Sequence, residues 1–79
     1  DGKFKNINFM FTGKLDGISR AEAKSMIEKN SGKIISTVTN KLNYLISGEK
    51  PTNKKIEKAK ELNIKIINQK DFIKLLNKI

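Results

Sequence analysis

The 79 residues of the sequence suffice for one small domain, which would bury roughly 60% of the surface that its unfolded chain exposes. The formal net charge of +9, almost entirely from lysine, favours a polyanionic partner such as nucleic acid, although a lysine-rich composition also accompanies AT-rich genomes. Cysteine and histidine are absent from the sequence, which excludes disulfides, thiolate nucleophiles and imidazole as a general base or metal ligand.

The first predicted elements are a strand and a helix. Apolar side chains alternate over residues 7–11, which predicts a strand that ends at Thr12-Gly13. Ser19 and Glu22 have the spacing of a capping box, so we predict that Ser19 is the N-cap and Arg20 the first residue of the helix. The apolar face that this helix should bury comprises Ala23, Met26 and Ile27.

Two residues are predicted to end helices in the left-handed conformation. Gly32 suits this position after the first helix because glycine has no Cβ atom. The second helix should begin at Thr52 or Asn53, and Asn63 is predicted to take the same position at its end. The apolar face of the second helix is thin, so we expect it to be the least firmly packed of the helices.

Three further strands and one further helix complete the pattern. Short strands are predicted over residues 33–35, 43–47 and 64–67. Asn68 is predicted to cap a third helix. In that helix, four apolar residues recur at helical spacing: Phe72, Leu75, Leu76 and Ile79.

The order of the elements is strand, helix, strand, strand, helix, strand, helix, which predicts an α/β domain with a largely parallel sheet. Residues 36–42 are a short connection for a parallel pair, so the pattern alone leaves open an antiparallel pairing of the second and third strands. Residues 1–5 are interpreted as a linker or a remnant outside the fold, so that the domain spans residues 6–79.

Hydroxyl, amide and cationic groups are predicted to converge at one edge of the sheet. Ligands of open α/β sheets bind beyond the carboxyl ends of the strands. Thr12 and Gly13 leave the first strand there, Arg20 opens the first helix, and the second helix is opened by Lys54 and Lys55. Cations oppose the dipole at a helix N-terminus but suit a bound anion, so we interpret this group as a phosphate site. Alternatively, the threonine and glycine form an ordinary turn and the cations are solvated surface residues.

Other functional motifs are missing from the sequence. Neither G-x-G-x-x-G nor G-x-x-x-x-G-K-[ST] occurs, so no nucleotide site of those kinds is predicted. The acidic residues form no obvious catalytic pair, and Ser19 is explained as a helix cap rather than as a nucleophile. The aromatic residues are core candidates, so no base-stacking platform is predicted. No apolar run approaches the ~18 residues of a membrane span, and nothing resembles a signal peptide.

Over residues 9–76, the sequence resembles BRCT domains. The resemblance rests on Phe-Thr-Gly at 11–13, Ser-Arg-Ala-Glu-Ala-Lys at 19–24, Val-Thr-Asn-Lys at 38–41 and Asn-Tyr-Leu-Ile at 43–46. These motifs are most similar to those of one subgroup, the BRCT domains of bacterial NAD-dependent DNA ligases and of the replication factor C large subunit. The sequence departs from the usual family pattern at three places: Phe72 for tryptophan, Ser31-Gly32 for Gly-Gly, and Asn53-Lys54 for Gly-Ser.

The resemblance implies a four-stranded parallel sheet in the order 2-1-3-4, flanked by three helices, with the first and third helices on one face and the second on the other. It makes strands one and three neighbours. In phosphate-binding members of the family, the contacts come from positions that correspond here to Thr12, Gly13, Arg20 and Lys55, with Lys54 beside them.

The function implied by the resemblance is a non-catalytic module, the C-terminal BRCT domain of an NAD-dependent DNA ligase, which binds nicked or 5′-phosphorylated DNA. The fragment itself would need no cofactor, whereas the parent enzyme would use NAD and magnesium. The expected partners are DNA, the other domains of the parent protein and repair or replication proteins, not a membrane. The expected location is the bacterial cytoplasm.

Two alternatives to this function are open at the level of the sequence. One is the BRCT domain of a replication factor C large subunit, which would be nuclear. The other is an interaction module that reads phosphopeptides or docks a repair protein. Phosphopeptide readers usually work as tandem pairs, and a single copy is present in this sequence.

Overall fold

The computed structural model describes residues 2–77 of the chain. Four strands and three helices follow one another in the predicted order. They are β1 (Asn8–Thr12), α1 (Arg20–Lys29), β2 (Lys33–Ile34), β3 (Tyr44–Ser47), α2 (Asn53–Glu61), β4 (Lys65–Asn68) and α3 (Gln69–Asn77). The prediction that Ile79 belongs to the third helix falls outside the described residues.

The four strands form one parallel sheet in the order β2-β1-β3-β4. This is the order implied by the resemblance. The second and third strands are not neighbours, because β1 lies between them and pairs with both. The short connection therefore does not join two adjacent strands. The antiparallel pairing of β2 and β3, which the sequence pattern left open, is wrong. The connection packs on the sheet through Leu42, which is 3% exposed.

Both faces of the sheet are covered, as is usual for parallel strands. On one face, α1 and α3 enclose a cluster that comprises Phe4, Phe9, Phe11, Leu15, Ala23, Ile27, Ile46, Ile67 and Phe72. On the other face, α2 covers a smaller cluster of Met10, Leu42, Leu45 and Ala59. As its thin apolar face predicts, α2 contributes one small, fully buried residue to the core, whereas α3 contributes a phenylalanine.

The packing of α1 differs from the prediction at one residue. Ala23 and Ile27, four residues apart, are completely buried, but Met26 is 37% exposed. A helix of ten residues that lies on a sheet buries a narrow stripe, and position 26 falls beside that stripe. The inclusion of Met26 in the buried face was therefore wrong.

In the turn after α1, the left-handed conformation that was predicted for Gly32 is adopted by the preceding residue. Ser31 has a φ of +69° and Gly32 does not adopt the left-handed region. Gly32 is needed for space, because a Cβ atom there would lie 2.6 Å from Ile27 Cγ2 and 2.9 Å from Phe4 Cβ. Asn63, by contrast, has the predicted left-handed conformation, with a φ of +58°.

The segment before β1 is packed against the domain. Phe4 is 1% exposed, and its N–H donates a hydrogen bond to the carbonyl oxygen of Asn30 at 2.8 Å. The Lys3 ammonium group donates to the carbonyl oxygen of Leu76 in α3. The interpretation of residues 1–5 as a linker therefore does not hold for Phe4, which is part of the core; Asp1 lies outside the described residues.

Candidate functional site

Thr12, the last residue of β1, ties two elements together at the carboxyl edge of the sheet. Its side chain is fully buried, and its Oγ1 atom accepts a hydrogen bond from the N–H of Thr52 at 2.9 Å. Thr52 is the N-cap of α2, so this bond fixes the start of that helix against the end of β1. The hydroxyl retains its own proton as a donor.

Gly13 occupies a position that other residues could adopt only with strain. Its φ is +82°, and a Cβ atom there would lie 2.5 Å from the carbonyl oxygen of Glu49. Two hydrogen bonds of 2.8 Å between Lys14 and Glu49 hold the segments after β1 and β3 together at this point. The close approach of these two backbones therefore requires glycine at position 13.

Arg20 reaches across to this edge from the start of α1. The capping box is present as predicted: the N–H of Glu22 donates to Ser19 Oγ, and the N–H of Ser19 donates to Glu22 Oε1, both at 3.1 Å. The Arg20 guanidinium donates a hydrogen bond from one terminal nitrogen to the carbonyl oxygen of Gly13 at 2.7 Å. Because a guanidinium has five N–H donors, this bond orients the group and leaves other donors available.

A cleft of about 660 Å³ opens beside the guanidinium. The cleft exists because the short strand β2 pairs with β1 only as far as Phe9 and Ile34. Beyond this point, β1 continues to Thr12 and is paired with β3 alone. The cleft is lined by Met10, Phe11, Arg20, Lys24, Ile34, Ile35, Ser36, Thr37 and Lys55. It thus combines three cations and two hydroxyls with an apolar wall, a set of donors that suits an oxyanion.

The sequence matches a known family over almost its whole length. Residues 1–76 match the family model described as the BRCA1 C Terminus (BRCT) domain. The chain belongs to the BRCT family. The parallel sheet with the order 2-1-3-4 and its three helices agree with what the resemblance implied.

Similar domains occur in bacterial DNA ligases. The DNA ligase of Pelagibacter ubique (strain HTCC1062) is 69% identical over 78 residues, which cover 99% of this BRCT domain and 12% of the ligase. The DNA ligases of Prochlorococcus marinus and Cytophaga hutchinsonii are 44% and 47% identical over 75 residues. In both cases, 95% of this domain and 11% of the ligase are covered. The chain therefore spans a small part of the relatives that it matches.

Two of the five predicted site residues of the BRCT domain line the cleft, and the other three lie beside it. Arg20 and Lys55 line it together, from α1 and α2. Lys54 lines an adjoining groove. Thr12 was predicted to contribute a hydroxyl to the site; its side chain is buried, and its Oγ1 atom supports the start of α2. Gly13 holds Arg20 through its carbonyl oxygen.

Three polar residues of the cleft were missed in the sequence. Lys24 follows Arg20 by four residues, so the helical period already placed both on one face of α1. Ser36 and Thr37 follow directly after a parallel strand, and the carboxyl ends of parallel strands share an edge. Both signals were present in the sequence.

Neither a cluster of metal-binding side chains nor a membrane-spanning helix is found in the described part of the chain. Within residues 2–77, no three acidic side chains come together as they would to hold a metal ion. In the same range, no helix has the length and apolar composition needed to cross a membrane.

Proposed function

We propose that this BRCT domain is a non-catalytic, DNA-binding module of an NAD-dependent DNA ligase, and that its cleft binds the 5′-phosphate at a nick or a DNA end. The single observation that carries the proposal is the position of two cations on one cleft. Arg20 is fixed on the Gly13 carbonyl oxygen at 2.7 Å, and Lys55 lines the same cleft from α2. A planar guanidinium and a flexible ammonium can bind different oxygens of one phosphate.

The start of α2 supports an anion at this position. Among the described residues, no acidic side chain lies in its first turn, and Thr52 forms no side-chain capping hydrogen bond. Unpaired N–H groups and the positive end of the helix dipole therefore remain near Lys55. A phosphate group would compensate both, as anions commonly do at helix N-termini.

The relatives support the choice of the parent protein. They are bacterial DNA ligases, of which this domain would form 11–12%. We infer that catalysis, with the NAD and magnesium it would use, belongs to other domains of such a ligase in the bacterial cytoplasm. The sequence has neither histidine nor cysteine for a catalytic role of its own. The other ligase domains, and repair or replication proteins, would be its partners besides DNA.

The proposal is tested by titrating two nicked duplexes that differ in one group, a 5′-phosphate or a 5′-hydroxyl at the nick. We expect Arg20→Ala and Lys55→Ala each to weaken binding of the phosphorylated duplex by about 1–3 kcal/mol, the scale of one charge-assisted contact. Binding of the hydroxyl duplex should change much less. Lys74→Ala, in α3, removes the same charge away from the cleft and serves as the control.

Two outcomes would contradict the proposal. If Arg20→Ala binds both duplexes as the unmodified domain does, Arg20 is a solvated surface residue. If the domain binds a phosphopeptide tightly and DNA only weakly, the alternative of a protein-interaction module is favoured. Thermal melts accompany each titration, because only variants that remain folded are compared.

A further inference from the structure

The cleft beside Arg20 continues along α2 into a second groove. This groove of about 340 Å³ is lined by Met10, Ser36, Thr37, Val38, Lys54, Lys55 and Lys58. Four of these residues also line the first cleft: Met10, Ser36, Thr37 and Lys55. Because the two open depressions share these walls, they adjoin on one surface, here called the basic groove, which extends from α1 across the loop after β2 to α2.

The basic groove carries more positive charge than a single phosphate needs. Its cations are Arg20, Lys24, Lys54, Lys55 and Lys58. Within residues 2–77, no carboxylate lines the groove and no salt bridge neutralises any of these five side chains. The charge of the groove is therefore available to a ligand with several negative charges.

The spacing of the cations along the helices is regular. Arg20 and Lys24 lie four residues apart on α1, and Lys54 and Lys58 lie four residues apart on α2. Like charges at this spacing destabilise a helix by a few tenths of a kcal/mol. On α2, one such step corresponds to about 6 Å along the axis, which is comparable to the separation of adjacent phosphates in a nucleic-acid strand. A strand that follows the groove would relieve the repulsion.

We propose that the basic groove holds consecutive phosphates of one DNA strand. The terminal phosphate lies among Arg20, Lys24 and Lys55, and the next phosphates lie against Lys54 and Lys58 on α2. This inference rests on the proposed function and extends it from one phosphate to a stretch of backbone. It also gives a physical basis for preferring DNA to a phosphopeptide, which presents one phosphate and no continuing polyanion.

The test is a double-mutant cycle between Lys58 and the DNA backbone. Two 5′-phosphorylated nicked duplexes are compared, one natural and one in which the first two linkages after the 5′-phosphate are neutral methylphosphonates. We expect Lys58→Ala to weaken binding of the natural duplex by about fivefold, as for one exposed charge contact. The same variant should bind the methylphosphonate duplex as the unmodified domain does, because the phosphates that Lys58 contacts have lost their charge.

Lys60→Ala is the matched control. Lys58 and Lys60 both lie in the last turn of α2, so the two substitutions remove the same charge and the same favourable dipole interaction. Lys60 does not line the basic groove, and we expect its substitution to affect both duplexes equally and weakly. Lys58→Gln, which removes the charge but keeps most of the length of the side chain, should reproduce the result of Lys58→Ala.

The possible outcomes separate this inference from the function on which it rests. If Lys58→Ala and Lys60→Ala have equal effects, or if Lys58→Ala weakens binding of both duplexes by the same factor, the path along α2 is wrong. The phosphate site of Arg20 then stands on its own result, the difference between the 5′-phosphate and 5′-hydroxyl duplexes. If that difference is also unaffected by Arg20→Ala, both proposals fail.

Discussion

Replacement of Phe4 by alanine tests whether the segment before β1 belongs to the fold. The Phe4 ring is 1% exposed and forms an edge contact with Phe9, with ring centroids 4.9 Å apart. Truncation of a buried phenylalanine to alanine costs about 3–5 kcal/mol, because apolar contacts are lost and a cavity remains. A domain of 79 residues has a free energy of unfolding of about 4–12 kcal/mol. Phe4→Ala should therefore remove a large fraction of the stability.

The assay is urea denaturation followed by circular dichroism. The free energies of unfolding of the variant and the unmodified domain are compared with a common m-value, the slope of the free energy against the urea concentration. Lys5→Ala is the control, since Lys5 is exposed and its substitution should change the free energy of unfolding by no more than about 0.5 kcal/mol. Phe4→Leu, which keeps most of the apolar volume, should lie between the two. A loss below about 1 kcal/mol for Phe4→Ala would refute the reasoning, because such small effects are typical of surface positions. In that case, the fold begins at β1 and the linker interpretation is restored.

Three other predictions concern the edge of the sheet, the turn after α1 and the binding of DNA. Thr12→Val should lower the free energy of unfolding by about 1–3 kcal/mol, because it leaves the N–H of Thr52 without its acceptor. Thr12→Ser keeps the acceptor and should not have this effect. Equal urea midpoints for the two variants would contradict the prediction. Ser31→Gly should raise the thermal midpoint, with a gain of up to about 1 kcal/mol, since a serine at φ +69° is strained. A decrease would mean that the turn is relaxed with serine. The logarithm of the DNA affinity should fall linearly with the logarithm of the salt concentration, by roughly two orders of magnitude between about 50 and 200 mM for three to five phosphate contacts. A flat profile in fluorescence titrations would argue against phosphate contacts.

Features that depend on neighbouring residues in the chain could be predicted from the sequence. The capping box of Ser19 and Glu22 follows from a spacing of three residues, and Asn63 ends its helix as its side chain suggests. The class of fold followed from the alternation of strands and helices. The order of the strands required the resemblance to BRCT domains, because the local pattern is compatible with more than one pairing of β2 and β3.

The prediction for Met26 failed because α1 buries a narrower stripe than expected, whereas the predictions for Gly32 and for the segment before β1 failed because they depend on contacts between distant parts of the chain. Gly32 was expected to supply a left-handed conformation, but its role is to make room for Phe4 and Ile27, 28 and five residues away. Phe4 was predicted in two ways, as an aromatic core candidate and as part of a linker over residues 1–5, and its burial agrees with the first. The burial of Thr12 could not be predicted from the sequence either, because it depends on the packing of α2 over the end of β1.

The attachment of the N-terminal segment determines how a longer polypeptide would carry this domain. Phe4 is bound at the C-terminal end of α1, ten residues and about 15 Å from Arg20, and Lys3 is bound near the end of α3. The segment before β1 is therefore held at the end of α1 that lies away from Arg20, and a tether that continued from it would leave the domain at that end of the helix. For a tethered domain, binding to DNA that another domain already holds is intramolecular, with an effective concentration in the millimolar range for a short flexible tether. If the domain binds DNA as proposed, contacts that are individually weak would then suffice to keep the DNA in place.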